Sequence, residues 1–109
     1  MSNQHERIAM LNDRLRRDFS TGQVVMTRGV AELGDEAITR IFKAVSEFDD
    51  FNENNDPWQE HDAGGFEIDG QKLYWKIDYY DLDLQVHSPD PSDPAVTKRV
   101  MTLMRLDEY

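Results

Sequence analysis

The chain has 109 residues, 12 Lys and Arg against 22 Asp and Glu for a formal charge of −10, and no cysteine. That length suits one domain built on a single core. The missing thiols exclude disulfides, thiolate zinc sites and cysteine nucleophiles, and the acidic field disfavours direct contact with nucleic acid or an anionic membrane. No run approaches the roughly 18 apolar residues of a membrane span, and the opening MSNQHERIAM is too polar for a signal peptide. A cytoplasmic protein is therefore expected.

Residues 5–19 space Ile8, Leu11, Leu15 and Phe19 at intervals of three and four, which predicts an amphipathic helix stopped by Ser20-Thr21-Gly22. Gln23-Val24-Val25-Met26-Thr27 then reads as a short strand buried on both faces and ended by Gly29. A second helix opens at Gly34-Asp35, with Asp35 expected as N-cap and Ile38, Ile41, Phe42, Val45 and Phe48 at helical spacing. Residues 49–59 form a polar loop, since Pro57 pushes the residue before it out of the helical region.

Alternating Phe66 and Ile68, the tight-turn pair Asp69-Gly70, and then Leu73, Trp75, Ile77 and Tyr79 on one face predict a β-hairpin. Its other face carries Lys72, Tyr74, Lys76, Asp78 and Tyr80 and is expected to be partly wet. Prolines 89, 91 and 94 keep residues 81–94 irregular. Residues 96–106 fit either a helix, with Val96, Val100, Leu103 and Met104 on one side, or a strand favoured by Thr97, Val100 and Thr102; the strand is preferred because it gives the hairpin a third partner. The expected fold is α+β over residues 1–109: two amphipathic helices on a small, mainly antiparallel sheet, in the order α-β-α-β-β-β.

Basic residues gather near the two ends (Arg7, Arg14, Arg16, Arg17; Lys98, Arg99, Arg105), while the only bases between residues 47 and 93 are Lys72 and Lys76. The acidic, aromatic hairpin therefore stands out as a docking surface, with Glu67, Asp69, Asp78, Asp81 and Asp83 acting together and Trp58, Tyr74 and Tyr80 as anchors. Glu60-His61-Asp62 offers a histidine beside carboxylates, and Asp78 to Asp83 supplies further acids. Adjacent residues in an extended segment point to opposite sides, and His5 and His87 have no metal-ligand spacing to His61. Gly64-Gly65 lacks the Lys-Ser/Thr of a phosphate loop and reads instead as a bulge or a close backbone approach.

Asn54-Asn55-Asp56-Pro57, Glu60-His61-Asp62, Phe66-Glu67-Ile68-Asp69-Gly70, Trp75 to Asp81 (WKIDYYD), Ser88-Pro89-Asp90-Pro91, Arg99-Val100-Met101-Thr102 and Glu108-Tyr109 together resemble a family of short proteobacterial proteins classed as a domain of unknown function. The resemblance extends to Arg7-Ile8-Ala9 and Leu11-Asn12-Asp13 and implies a bacterial cytosolic setting on mobile DNA, with no activity, cofactor or catalytic residue to carry over. Two expectations follow. The first is a non-enzymatic acidic protein-binding module without cofactor, an inhibitor or adaptor of a nucleic-acid-handling protein that presents carboxylates where phosphates normally sit. The second is a small metal-dependent or acid–base enzyme built on His61, Asp62, Asp78 and Asp81. A monomer, or a homodimer joined along an open sheet edge, fits either.

Overall fold

A computed structural model describes residues 3–109. The first helix, α1, spans Gln4–Arg17 and starts where the Asn3 side chain accepts from the Glu6 N–H at 2.8 Å. It stops two residues short of the expected end. Asp18 turns extended and its side chain caps a 3-10 turn over Phe19–Thr21. Phe19 still meets the core, with its ring 4.7 Å from that of Phe42.

Strand β1, Gln23–Met26, is an edge strand rather than one buried on both faces, because its single partner is the last strand of the chain and Val25 is left exposed. Gly29 does not end the segment. Thr27 caps a one-turn helix, α2 (Arg28–Ala31), and the Gly29 N–H donates to Glu108 Oε2 at 3.2 Å. A side chain at position 29 would collide with that carboxylate, which explains the glycine. Helix α3, Asp35–Glu47, begins one residue earlier than expected: Gly34, at φ +93°, occupies the cap in place of Asp35, and Asp35 and Glu36 lie in the first turn, where negative charge suits the helix dipole.

The hairpin pairs β2 (Ala63–Ile68) with β3 (Gln71–Tyr80), Ile68 facing Gln71. Asp69 (φ 52°) and Gly70 (φ 81°) both take positive φ, as a type I′ turn requires. The ambiguous segment is a strand, β4 (Lys98–Arg105), antiparallel to β3 and parallel to β1. The sheet order is β1-β4-β3-β2, so the fold is α+β, with a mixed sheet and the short α2 added to the expected element order.

Period-2 alternation decides what each face of the sheet does. Leu73, Trp75, Ile77, Met101 and Leu103 point inward and form one core with Ile8 and Leu15 of α1, Val30 of α2, and Ile41 and Val45 of α3. Gly64 lies on this face too, and its close approach is to side chains: a Cβ there would lie 2.6 Å from Phe48 Cε1 and 2.8 Å from Trp75 Nε1. The opposite face presents Lys72, Tyr74, Lys76, Asp78 and Tyr80, flanked in register by Lys98, Val100, Thr102 and Met104. The C-terminal turn, Leu106–Glu108, is tied back by Glu108, whose carboxylate accepts from Thr27 Oγ1 at 2.7 Å and from the Arg105 N–H at 2.8 Å. Those donors, the Thr27 hydroxyl first, hold its carboxyl below the usual glutamate range. Among the described residues no helix is long and apolar enough to cross a membrane.

Candidate functional site

Beyond Tyr80 the chain forms an exposed but hydrogen-bonded loop. Tyr80 and His87 form a bridge, the Asp81 N–H donates to the Val86 carbonyl at 2.9 Å, and the Ser88 N–H donates to the Tyr79 carbonyl at 3.1 Å. Asp81 Oδ1 accepts from the N–H groups of Gln85 (2.8 Å) and Val86 (3.3 Å), so this carboxylate organises the loop. The resulting finger, residues 81–87, exposes three apolar side chains: Leu82 at 53%, Leu84 at 45% and Val86 at 62%. Leu84 sits at φ +59°, an unfavourable conformation for a leucine.

The expected docking residues divide among several places. Tyr74, Asp78 and Tyr80 share the outer face of the sheet with Glu67. Tyr74 packs edge-on against Tyr109, ring centroids 5.0 Å apart. Asp78 accepts from Lys76 Nζ at 2.8 Å, a bond that raises the lysine's pKa, and Glu67 lies opposite Lys72 in register. Asp69 pairs with Arg40 of α3. Asp81 is committed to the finger, and Asp83 stands exposed on it. Trp58 is elsewhere: it stacks on His5 of α1 at 5.7 Å, on the helix side of the molecule. The hairpin face is thus closely balanced in charge, and the acidic surplus lies in the loops 49–62 and 81–93.

His61 belongs to a second cluster, one that linear spacing did not reveal. Its Nδ1 is 3.0 and 3.1 Å from the two carboxylate oxygens of Asp13, on α1, and its ring stacks on Phe51 at 4.0 Å. Nε2 lies 3.9 Å from Asp56 Oδ2. Asp56 is buried, and its other oxygen accepts from the N–H groups of Glu60 (3.0 Å) and His61 (3.1 Å). A cavity of about 320 Å³ opens beside these groups, lined by Phe51, Asn52, Asp56, Gln59 and His61 among others. Gln59 (φ 56°) and His61 (φ 54°) both carry positive φ on its rim, local strain that the surrounding bonds hold in place.

Asp62, Asp78 and Asp81 do not join His61. Asp78 bonds Lys76 and Asp81 caps the finger, while burial first, then Glu60, Asp56 and Asp78, push the Asp62 carboxyl up. Among the described residues no group of three or more His, Asp or Glu side chains is arranged to hold a metal ion.

Behind this cluster runs a buried polar network. Asn12 Nδ2 donates to Tyr79 Oη (2.8 Å) and to the Glu60 carbonyl (2.9 Å), and its Oδ1 accepts from Arg99 Nε (2.9 Å). Tyr79 Oη donates to Glu60 Oε1 at 3.2 Å, and Glu60 Oε2 is 2.7 Å from His5 Nδ1. Burial, ahead of the neighbouring carboxylates, pushes the Tyr79 hydroxyl up. Asn12, Asp13, Arg16 and Arg99 escaped sequence reasoning. The available signal was the i, i+4 spacing of Ile8, Asn12 and Arg16, a row beside the Leu11 and Leu15 stripe of α1.

A family model described as a protein of unknown function (DUF3768) matches residues 26–108. That span contains the finger, the His61 loop and Arg99, and leaves Asn12, Asp13 and Arg16 of α1 outside. No curated protein and no solved structure matches the chain.

Proposed function

We propose that this chain, which belongs to the DUF3768 family, is a protein-binding module whose contact surface is the finger at residues 81–87 together with the adjoining outer face of the sheet around Tyr80. The finger carries this reading. Single exposed apolar residues are ordinary, but three on one hydrogen-bonded loop, interleaved with Asp81 and Asp83, form a preorganised apolar tip with an acidic rim. Its complement is an apolar groove on a partner protein, edged by cations. An inhibitor or adaptor acting through carboxylates in place of phosphates draws on Asp83 and the loop acids, since Glu67, Asp69 and Asp78 each face a cation.

The test is a triple substitution, Leu82→Ser, Leu84→Asn and Val86→Ser; asparagine tolerates the positive φ at position 84. The melting temperature stays within about 2 °C of wild type, because these side chains are exposed. A partner captured by immobilised wild-type protein is lost from the triple variant, and wild-type capture weakens as salt rises. Equal capture by both proteins sinks the reading.

The Asp13–His61 pair favours a second reading, a metal-independent acid–base site. An imidazole oriented through Nδ1 by a carboxylate, with its other nitrogen beside a cavity, is equipped to move a proton at Nε2. Under this reading, screening of ester and phosphoester substrates finds turnover that drops about a hundredfold or more in His61→Ala, with an intermediate loss in Asp13→Asn. Turnover indifferent to His61 removes it.

A further inference from the structure

Arg99 is 7% exposed, yet no carboxylate of the described residues lies within ion-pairing distance of its guanidinium. Its bonds are to neutral acceptors: Nε donates to Asn12 Oδ1 at 2.9 Å and Nη2 to the Pro91 carbonyl, while the group rests 5.2 Å above the Tyr79 ring. Arg16, the other buried arginine, has Asp13 at 2.6 Å. A buried cation without a counter-ion is costly, and burial accordingly lowers the pKa of Arg99. Glu60 and Tyr79 favour its charge only at longer range.

Two adjoining cavities, of about 490 and 90 Å³, share Thr21, Pro94, Thr97 and Arg99 as walls. The larger is also lined by Ser20, Gly22, Gln23, Leu82 and Lys98 and the smaller by Leu11 and Arg14, and no acidic residue lines either one. In a chain with 22 acids and 12 bases, a groove bearing three cations and no carboxylate is a marked local inversion of charge. The hydroxyl protons of Thr21 and Thr97 are committed to the carbonyls of Asp18 and Asp90 and that of Ser20 to the Asp18 carboxylate, so recognition falls to the three cations and the Gln23 amide.

We propose that this groove binds the phosphoryl group of a small phosphorylated molecule, with Arg99, which lines both cavities, as the buried anchor, Lys98 on the wall of the larger cavity and Arg14 on that of the smaller. Three cations suit a doubly charged phosphate monoester better than a carboxylate. The larger cavity is of small-molecule size, and the net charge of −10 repels polyanions such as nucleic acids. Leu82 of the finger also lines the larger cavity, so the site adjoins that surface, but it rests on Arg99 and its neighbouring cations rather than on the apolar tip.

The test is a ¹H–¹⁵N correlation titration of the full chain with inorganic phosphate at constant ionic strength, with acetate as a parallel arm. The Arg99 Nε–H signal and the amides of Thr21, Thr97 and Lys98 shift saturably with phosphate and do not move with acetate. In the double variant Arg14→Gln, Lys98→Gln, where both replaced side chains are exposed and the retained spectrum reports the fold, affinity falls about tenfold or more per cation removed. Three results overturn the proposal: non-saturating shifts that reach remote cations such as Arg28 and Lys43, an unchanged response in the double variant, or equal saturation by acetate.

Discussion

Replacing Arg16 by alanine is expected to remove about 4 kcal/mol of stability, a large part of the roughly 5–15 kcal/mol that holds a domain of this size together. The side chain is fully buried, and its charge is matched in several ways at once. Nη1 donates to the carbonyls of Val45 (2.9 Å) and Phe48 (2.7 Å) at the C-terminal end of α3, and Nη2 donates to Asp13 at 2.6 Å. The guanidinium lies 5.2 Å from the Phe51 ring centroid and 5.1 Å from that of Trp75. Helix α3 has no basic residue in its own last turn, so Arg16 supplies the cation that its C-terminal dipole favours. Alanine leaves the Phe48 carbonyl without its Arg16 donor and the Val45 carbonyl with only the Phe48 N–H at 3.4 Å, opens a void against Trp75, and deprives Asp13 of one partner. Methionine refills the volume and should recover about half of the loss, whereas lysine cannot span both carbonyls and the carboxylate and should recover less. Urea unfolding followed by tryptophan fluorescence measures all three. An alanine variant within about 0.5 kcal/mol of wild type, the range of an ordinary surface substitution, would show that Arg16 does not join α1 to α3.

Asn12→Leu is the second large effect, at about 3 kcal/mol. Leucine has nearly the same volume, so the change isolates the hydrogen bonds. The Tyr79 hydroxyl loses a donor, the Glu60 carbonyl loses another, and Arg99 Nε loses its acceptor, all in or near the core. Because Asn12 and Tyr79 are direct partners, Asn12→Leu combined with Tyr79→Phe should cost less than the two single changes summed, by about 1 kcal/mol. Strict additivity in denaturant unfolding would mean that the bond is not made in solution.

Both residues show why part of this molecule was legible in the sequence and part was not. The apolar stripe of Ile8, Leu11 and Leu15 marked α1 and left Asn12 and Arg16 out of account. In fact they occupy the buried side, and their partners are remote: Asn12 is 67 residues from Tyr79 and 87 from Arg99, and Asp13 is 48 from His61. Alternation alone put Tyr74, Asp78 and Tyr80 on one face, while nothing local tied Trp58 to His5 or Asp69 to Arg40. The finger lay within the stretch expected to be irregular, where Asp81 and Asp83 stood out and Leu82, Leu84 and Val86 did not.

The sequence by itself determined whatever a short repeat or a turn residue specifies. Period 3.6 marked α1 and α3, period 2 sorted the faces of β3, Asp69-Gly70 closed the hairpin, and β-branched residues favoured a strand within residues 96–106. The tertiary structure alone decided that β1 is an edge strand paired in parallel with β4, with Gln23 beside Val100. It alone enclosed Arg99 without a counter-ion and brought Asp13 to His61. Hydrophobic periodicity is a local property of the backbone, whereas pairing among buried polar groups follows from which distant segments the core brings together.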